Sequence, residues 1–205
     1  MRTLVIDSAT EACSSALFEG ETLLAGSYQV IGRGHAERLV PMIAELPGKG
    51  RAGRIAVALG PGSFTGVRIG LAAARALGLV WQCEVLGYPT LALVAAMAQQ
   101  GRSGAVTVCM TGGHGEWFVQ DFADDGRPER PAASLTPGEA VTVAGHSLVA
   151  GSEAAALVGL RGHGEAIPLL PDARSFPLLP AECLTSDLAP LYGRPPDARL
   201  PTSAR

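Results

Sequence analysis

The residues most able to do chemistry in this sequence form a glycine-rich motif between a predicted strand and a predicted helix. The motif G-P-G-S-F-T-G occupies residues 60–66, and its candidate ligand-facing positions are Gly60, Gly62, Ser63, Thr65 and Gly66. Such glycines permit a tight turn and direct several backbone N–H groups into one concavity at a helix N-terminus. The residues leave two alternatives open, an anion site and a purely structural turn. No G-K-[S/T] follows, so this is not a Walker loop, and Pro61 stands where a hydrolase nucleophile elbow requires glycine.

Metal and redox chemistry are not predicted from the histidines and cysteines. The four histidines form no HExxH motif, and no two of them lie three or four positions apart on a helix. The four cysteines form no CxxC pair. We therefore expect no metal site, no cofactor and no metalloprotease activity.

The elements around the motif follow the order β-β-β-α-β-α-β-α over residues 1–100. The apolar pattern predicts strands at 3–6, 13–18 and 22–27, a helix at 35–46, a strand at 55–59, a helix to about Val80, a strand at 84–86 and a helix at 89–99. Pro41 is expected to kink the first helix or to delay its start. A hairpin meander followed by βα units is the order of the ribonuclease H-like module, which the actin, hexokinase and Hsp70 (ASKHA) superfamily uses twice.

The second half opens in a similar way, with strands predicted at 105–110 and 116–121 and a further strand at 140–144. We predict an α/β fold of two ribonuclease H-like subdomains, each with a mixed sheet flanked by helices. Residues 101–104 read G-R-S-G and mark the boundary. The expected domains are residues 1–100, which carry the partner-binding helices, and a smaller domain of residues 101–205, whose tail is able to pack back on the first.

Asp7 and Thr10 follow the first strand, in the place of the first phosphate loop of that superfamily. A phosphotransferase of this kind needs carboxylates on both sides of its cleft to hold Mg²⁺ and to orient the reactants. Ala9 stands where a phosphate loop would favour glycine, and the equivalent turn of the second half, residues 109–114, contains no acid. We therefore expect Asp7 to brace its loop and the chain to be catalytically silent. A nucleotide-dependent enzyme of this superfamily that acts alone is the alternative.

Four segments of the chain together resemble one family. They are D-S-A-T-E-A-C-S at 7–14, G-H-A-E-R-L-V-P-M at 34–42, G-P-G-S-F-T-G-V-R-I-G at 60–70 and P-L-Y-G-R-P-P-D-A at 190–198. The pattern is similar to that of the TsaB (YeaZ-type) family of tRNA threonylcarbamoyladenosine biosynthesis proteins. The resemblance is strong over residues 1–98 and patchy afterwards.

The resemblance implies a non-catalytic subunit that binds and supports a paralogue, TsaD. TsaD transfers threonylcarbamoyl to the adenosine at position 37 of tRNAs that read codons beginning with A, and the ATPase TsaE joins the larger complex. A homodimer is implied when TsaD is absent, and tRNA is contacted only through the complex. The glycoprotease name that members of the family sometimes carry comes from its relatives and is not expected to apply.

The partner surface is expected on the helix after the glycine motif and on the first helix. Gly70, Ala74 and Gly78 form a row of small residues four apart, which allows a close helix–helix approach. The row could face a partner or the protein's own sheet, and the sequence leaves both open. The candidate partner-binding residues are His35, Arg38, Leu39, Met42, Val67, Gly70, Leu71, Ala74, Arg75 and Gly78.

Charge and hydropathy place further limits on function. The formal net charge is -3 and no stretch gathers basic residues, so strong binding of RNA by the chain alone is not expected. The apolar run before Asp7 is too short for a signal-peptide core, and no run is expected to reach membrane-spanning length. We therefore expect a cytoplasmic protein with no membrane segment.

Overall fold

A computed structural model of the chain describes residues 1–193. The first module contains strands β1 (Arg2–Asp7), β2 (Ala12–Glu19), β3 (Thr22–Val30), β4 (Arg54–Ala58) and β5 (Glu84–Tyr88), and helices α1 (His35–Glu45), α2 (Phe64–Trp81) and α3 (Thr90–Gln99). The predicted order β-β-β-α-β-α-β-α is confirmed. Helix α1 begins at His35 and continues through Pro41, so the proline does not delay its start.

The first sheet has the strand order β3-β2-β1-β4-β5. Strands β1, β2 and β3 are antiparallel neighbours because tight turns join them, whereas β4 and β5 are parallel to β1 because helices α1 and α2 carry the chain across. Strand β2 is buried along almost its whole length because α1 contacts it and residues 173–178 also pack on it. This explains why β2 reads as a continuous apolar and small-residue run.

The second module repeats this arrangement with shorter elements. It contains strands β6 (Val106–Thr111), β7 (Trp117–Phe122), β8 (Ala133–Leu135), β9 (Leu148–Ala150) and β10 (Glu165–Ile167), and helices α4 (Pro137–Val143) and α5 (Ala154–Arg161). Its strand order β10-β9-β6-β7-β8 matches that of the first sheet, with β6, β7 and β8 antiparallel and β9 and β10 parallel to β6. Two ribonuclease H-like modules, as predicted, therefore form the fold.

The strand predicted at residues 140–144 is wrong, because this segment belongs to α4. Thr136 caps the helix, since its side chain accepts from the backbone N–H of Glu139 while the Glu139 carboxylate accepts from the backbone of Thr136. Pro137 occupies the first helical position, where its missing N–H costs nothing. This capping box outweighs the β-branched residues that suggested a strand.

Residues 171–193, which we call the returning segment, run from the second module back over the first sheet. The backbone N–H of Ala173 donates to Ser14 Oγ at 3.0 Å, and Phe176 packs its ring against those of Phe18 and Tyr88. Further along, Leu191 N donates to Leu59 O at 2.8 Å. The returning segment thus covers the face of the first sheet opposite α1.

Candidate functional site

The glycine motif packs directly against the loop that follows β1. A Cβ atom added to Gly62 would collide with the carbonyl oxygen of Ala9, and one added to Gly66 would collide with that of Ser8. These glycines are therefore required for the close approach of two backbone segments. No side chain other than hydrogen fits at either position.

Hydrogen bonds hold the two loops together across this contact. Ser63 N donates to Ala9 O at 2.7 Å, and Ser8 Oγ donates to Gly66 O at 2.9 Å. Ser63 also caps α2, because its Oγ accepts from Gly66 N at 3.2 Å. Gly62 and Gly66 thus have a structural role in packing the motif against the loop after β1.

Asp7 lies beneath this contact and is only 1% exposed. Its Oδ1 accepts from Ala9 N at 3.0 Å, and Tyr88 Oη lies 3.2 Å from its Oδ2. Burial raises the pKa of Asp7 to about 7, since the charged form loses its hydration, and the hydrogen bonds from Ala9 and Tyr88 only partly oppose that shift. Thr10 accepts from Ala12 N at 3.2 Å. Both side chains thus brace the loop, and Asp7 does not reach an open cleft.

A cleft of about 790 Å³ opens above this loop, between the two modules. The first module contributes residues 9–11 and 62–64 with Gly32 and Arg68, the second module contributes residues 111–114 and Phe118, and the returning segment contributes residues 191–193. Thr10, Gly62 and Ser63 therefore line this cleft. Asp7, Gly60, Thr65 and Gly66 do not belong to its wall.

Behind the second-module wall of the cleft lies a carboxylate that sequence reasoning missed, that of Glu153. Thr111 Oγ1 donates to Glu153 Oε1 at 2.8 Å and lies 2.9 Å from Ser152 Oγ. Glu153 follows β9, the strand that corresponds to β4 in the first module. Because β9 has only three residues in a glycine-rich region, its pattern gave no signal for an acid at that position. The carboxylate is held by Thr111 and does not line the cleft.

The row of Gly70, Ala74 and Gly78 packs on the protein's own sheet, which corrects the expectation that it contacts a partner. Ala74 is fully buried. A Cβ on Gly70 would lie 2.7 Å from Ser8 Oγ, and one on Gly78 would collide with the Val85 side chain. The small residues serve to bring α2 close to β1, β4 and β5.

Most other candidate partner-binding residues are also buried in the fold. Leu39, Met42, Val67 and Leu71 belong to the core, and His35 is buried with its Nε2 3.3 Å from Ala12 O. The two arginines remain accessible. Arg38 donates to Gln29 Oε1 at 2.8 Å, and Arg75 donates to Leu188 O at 3.0 Å.

The side of α2 that faces away from the sheet exposes several apolar residues, whereas the exposed side of α1 carries Val40 together with Glu37 and Glu45. We call Val40, Ala72, Ala76, Leu79 and Val80 the outer face; Leu79 is 82% exposed and Val80 74% exposed. The two helices pack against each other, so these residues share one side of the module. The spacing of residues 72, 76 and 79–80 is helical and could have shown this face in the sequence.

Helix α2 is long and apolar enough to cross a membrane by length and composition, which corrects the expectation that no segment reaches that length. Its inward side packs on the first sheet through Gly66, Val67, Gly70, Leu71, Ala74 and Gly78. In this structure α2 is therefore a helix of the folded module.

Within the described part of the chain, Asp121, Glu129 and His146 bring three possible metal ligands within 4.8 Å of one another. Other groups of the protein already form hydrogen bonds or ion pairs with these side chains. Asp121 accepts from Thr107 Oγ1 and Gly145 N and is paired with a guanidinium, that of Arg130. His146 Nε2 lies 2.9 Å from the Glu129 carboxylate. A buried ion pair accounts for this arrangement.

Of the tail segment that resembled the TsaB family, residues 190–193 lie along α2 and the cleft, and residues 194–198 lie outside the described residues. Tyr192 stacks near Phe64, with ring centroids 6.4 Å apart. Leu191 continues the main-chain contact to Leu59.

Comparisons with known proteins identify the family. Residues 29–148 match the family model described as TsaD, tRNA N6-adenosine threonylcarbamoyltransferase. The Escherichia coli tRNA threonylcarbamoyladenosine biosynthesis protein TsaB is 40% identical over 113 residues, which are 53% of this chain and 48% of that protein, about half its length. An uncharacterised Mycobacterium tuberculosis protein is 32% identical over 213 residues, covering 96% of this chain and 93% of its own.

A solved structure agrees with these sequence matches. YeaZ from Pseudomonas aeruginosa has a TM-score of 0.78 and 31% identity to this chain, and the match covers 93% of this chain and 99% of that one. The relatives and this structure confirm the resemblance that the glycine motif and the D-S-A-T segment predicted. The chain belongs to the TsaB, or YeaZ-type, group of the TsaD family.

Proposed function

We propose that this chain is a non-catalytic subunit of the tRNA N6-adenosine threonylcarbamoyltransferase complex, in which it binds and supports a TsaD paralogue. Its TsaB relatives are tRNA threonylcarbamoyladenosine biosynthesis proteins, and the chain takes part in that pathway. The product expected is threonylcarbamoyladenosine at position 37 of tRNAs that read codons beginning with A. The observation that carries the proposal is the outer face of α1 and α2.

The outer face has the properties of a helix-docking surface. Leu79 and Val80 present large apolar side chains to water, an arrangement that is unfavourable unless a partner covers it. Ala72 and Ala76 lie on the same side of α2, and their small side chains permit a second helix to approach at the short end of the usual range of about 8–10 Å. A helical partner with an apolar face matches this surface. The inward row of small residues plays no part in the contact.

The buried position of Asp7 in the loop after β1 supports a non-catalytic role for this chain. A carboxylate that holds Mg²⁺ must be ionised and must reach the ligand. Asp7 is buried beneath its loop, its two oxygens are engaged by Ala9 and Tyr88, and its pKa is raised to about 7. The glycine motif packs against the loop after β1 through Gly62 and Gly66, which also supports the absence of a metal-nucleotide site there.

The remaining partners follow from the same proposal. TsaE joins the larger complex, tRNA is bound only through that complex, and the same outer face supports a homodimer when TsaD is absent. A net charge of -3 agrees with indirect contact to tRNA, since direct binding draws its affinity from neutralised phosphates. The proposed location is the cytoplasm, where tRNA modification takes place.

The test measures the affinity of the purified chain for purified TsaD from the same organism by isothermal titration calorimetry. Leu79→Glu places a charge in the centre of the proposed contact and should weaken binding at least tenfold, or about 1.4 kcal/mol. Leu160→Glu makes the same change at a residue that is 60% exposed on α5, and should leave the affinity unchanged.

Two results would contradict the proposal. One is a Leu79→Glu variant that keeps both its melting temperature and its full affinity for TsaD. The other is ATP hydrolysis or tRNA modification by the isolated chain that disappears in Asp7→Ala, which would support the alternative of an enzyme that acts alone.

A further inference from the structure

The cleft between the modules has an aromatic lining that the proposed subunit role does not require. Three aromatic residues line it, Phe64, Phe118 and Tyr192, from the first module, the second module and the returning segment. Phe64 and Tyr192 are exposed, whereas Phe118 is only 8% exposed and packs against Gly193. Phe64 is the first residue of α2 and is 65% exposed, which is unusual for a phenylalanine. A concave surface with aromatic walls and few polar groups is the usual form of a small-molecule site.

One cation lies in this aromatic setting. The guanidinium of Arg68 stacks on the Phe64 ring at 3.3 Å from the centroid, and it donates to Phe64 O and to Tyr192 Oη. Those two bonds use two of its five N–H donors, so three remain for a ligand. Packing between the two rings fixes the orientation of Arg68, which reduces the entropy lost when a ligand binds.

The cleft wall carries one acidic and one arginine side chain, which lie on different elements. Among the described residues that line the cleft, Glu11 is the sole carboxylate and Arg68 the sole arginine. Arg68 is the fifth residue of α2, one turn after Phe64 on the same side of the helix. A ligand with an anionic end therefore binds with that end at Arg68, because Glu11 repels it from the loop after β1.

The floor of the cleft is closed to a phosphate chain. Ala9 O accepts from Ser63 N, and Gly62 is in contact with the same carbonyl, so the main chain fills the space beneath. The open volume is at the aromatic mouth. The Asp7 carboxylate does not reach that volume, so binding there does not require Mg²⁺.

We propose that the mouth of this cleft binds a small planar aromatic ligand that carries one negative charge, with its ring against Phe64 and Tyr192 and its anionic group at Arg68. This site is separate from the outer face and does not depend on TsaD. Its volume of about 790 Å³ falls within the range of sites that enclose a small organic molecule.

The experiment maps binding on the ¹⁵N-labelled full chain by amide chemical shifts, with 1-naphthoate as the probe. Shifts should be confined to the cleft residues 62–64, 111–114 and 191–193, with a dissociation constant of about 1 mM or tighter, as expected for a ligand of this size. Two matched probes separate the contributions. Cyclohexanecarboxylate has the charge without the ring, 1-naphthalenemethanol has the ring without the charge, and both should bind at least about fivefold more weakly. Added Mg²⁺ should change nothing.

Variants then test the named residues. Phe64→Ala and Arg68→Gln should each weaken 1-naphthoate about tenfold, because each removes one half of the recognition. Leu160→Ala and Arg127→Gln are the controls, since both residues are exposed and lie outside the cleft. Melting temperatures establish that each variant is folded.

Three outcomes would overturn the proposal. Shifts centred on the outer face would show nonspecific contact with the apolar helices. Binding of either matched probe as tightly as 1-naphthoate would show that ring and charge are not recognised together. Unchanged affinity in folded Phe64→Ala and Arg68→Gln would show that these side chains do not form the site.

Discussion

Replacing Ala74 with leucine separates the inward and outward sides of α2. Ala74 is fully buried, and one turn away on either side Gly70 and Gly78 approach the sheet so closely that an added Cβ would meet Ser8 and Val85. Three more carbon atoms have no space there. Overpacking of this kind costs about 1–3 kcal/mol, because the helix or its neighbours must shift.

The matched variant is Ala76→Leu, which adds the same side chain to an exposed position of the same helix. Alanine and leucine have similar helix propensities, so propensity contributes little to the comparison. For a chain of about 200 residues, 1 kcal/mol shifts the melting temperature by about 2–4 °C. Ala74→Leu should therefore melt about 2–12 °C lower, and Ala76→Leu should stay within about 2 °C of the unmodified chain.

The affinities for TsaD should follow the opposite order. Ala76→Leu widens the proposed helix–helix contact and should weaken binding about ten- to a hundredfold. Ala74→Leu should keep its affinity per folded molecule. Differential scanning calorimetry gives the melting temperatures of the two variants, and titration with TsaD gives their two affinities. A stable Ala74→Leu variant with lost affinity would refute the orientation of α2 described above.

Four other substitutions test particular contacts. Burial raises the pKa of Asp7 from 3.8 to about 7, so between these pH values the native state binds more protons than the unfolded state. The free energy of unfolding of the wild-type chain therefore falls as the pH rises from 3.8 to about 7. Between pH 5 and 8, the free energy of unfolding measured with urea should fall by about 3 kcal/mol less in Asp7→Asn than in the wild-type chain. The same pH dependence in both proteins would contradict the raised pKa of Asp7. Within residues 1–193, Ser15 Oγ is buried with no hydrogen-bond partner, so Ser15→Ala should be neutral or stabilising. Ser14→Ala should cost about 1 kcal/mol because it leaves Ala173 N unpaired, and equal effects of the two substitutions would argue against both assignments. Thr136→Ala removes the α4 cap and should cost about 1 kcal/mol in the same assay, and no loss would contradict the capping box.

The second module shows where local sequence signals were too weak. Strands β8, β9 and β10 have three residues each, which is too short for alternation to be read. Strand β8 pairs with β7, β9 with β6 and β10 with β9, and these pairings determine the conformation of the three short strands. The capping box of α4, by contrast, was present in the sequence and would have corrected the strand predicted at 140–144.

The sequence by itself determined the module order and the family, and it led us to expect a phosphate loop without catalytic function. Strand and helix periodicities are local properties, and Ala9 in place of glycine is visible without a structure. Only the tertiary structure decided which side of α2 faces outward. Small residues serve equally well against a sheet or against a partner helix, because both contacts require only the absence of bulk. Burial of Ala74 and exposure of Leu79 resolved that choice, and folding alone joined Phe64, Phe118 and Tyr192 from three distant segments into one cleft.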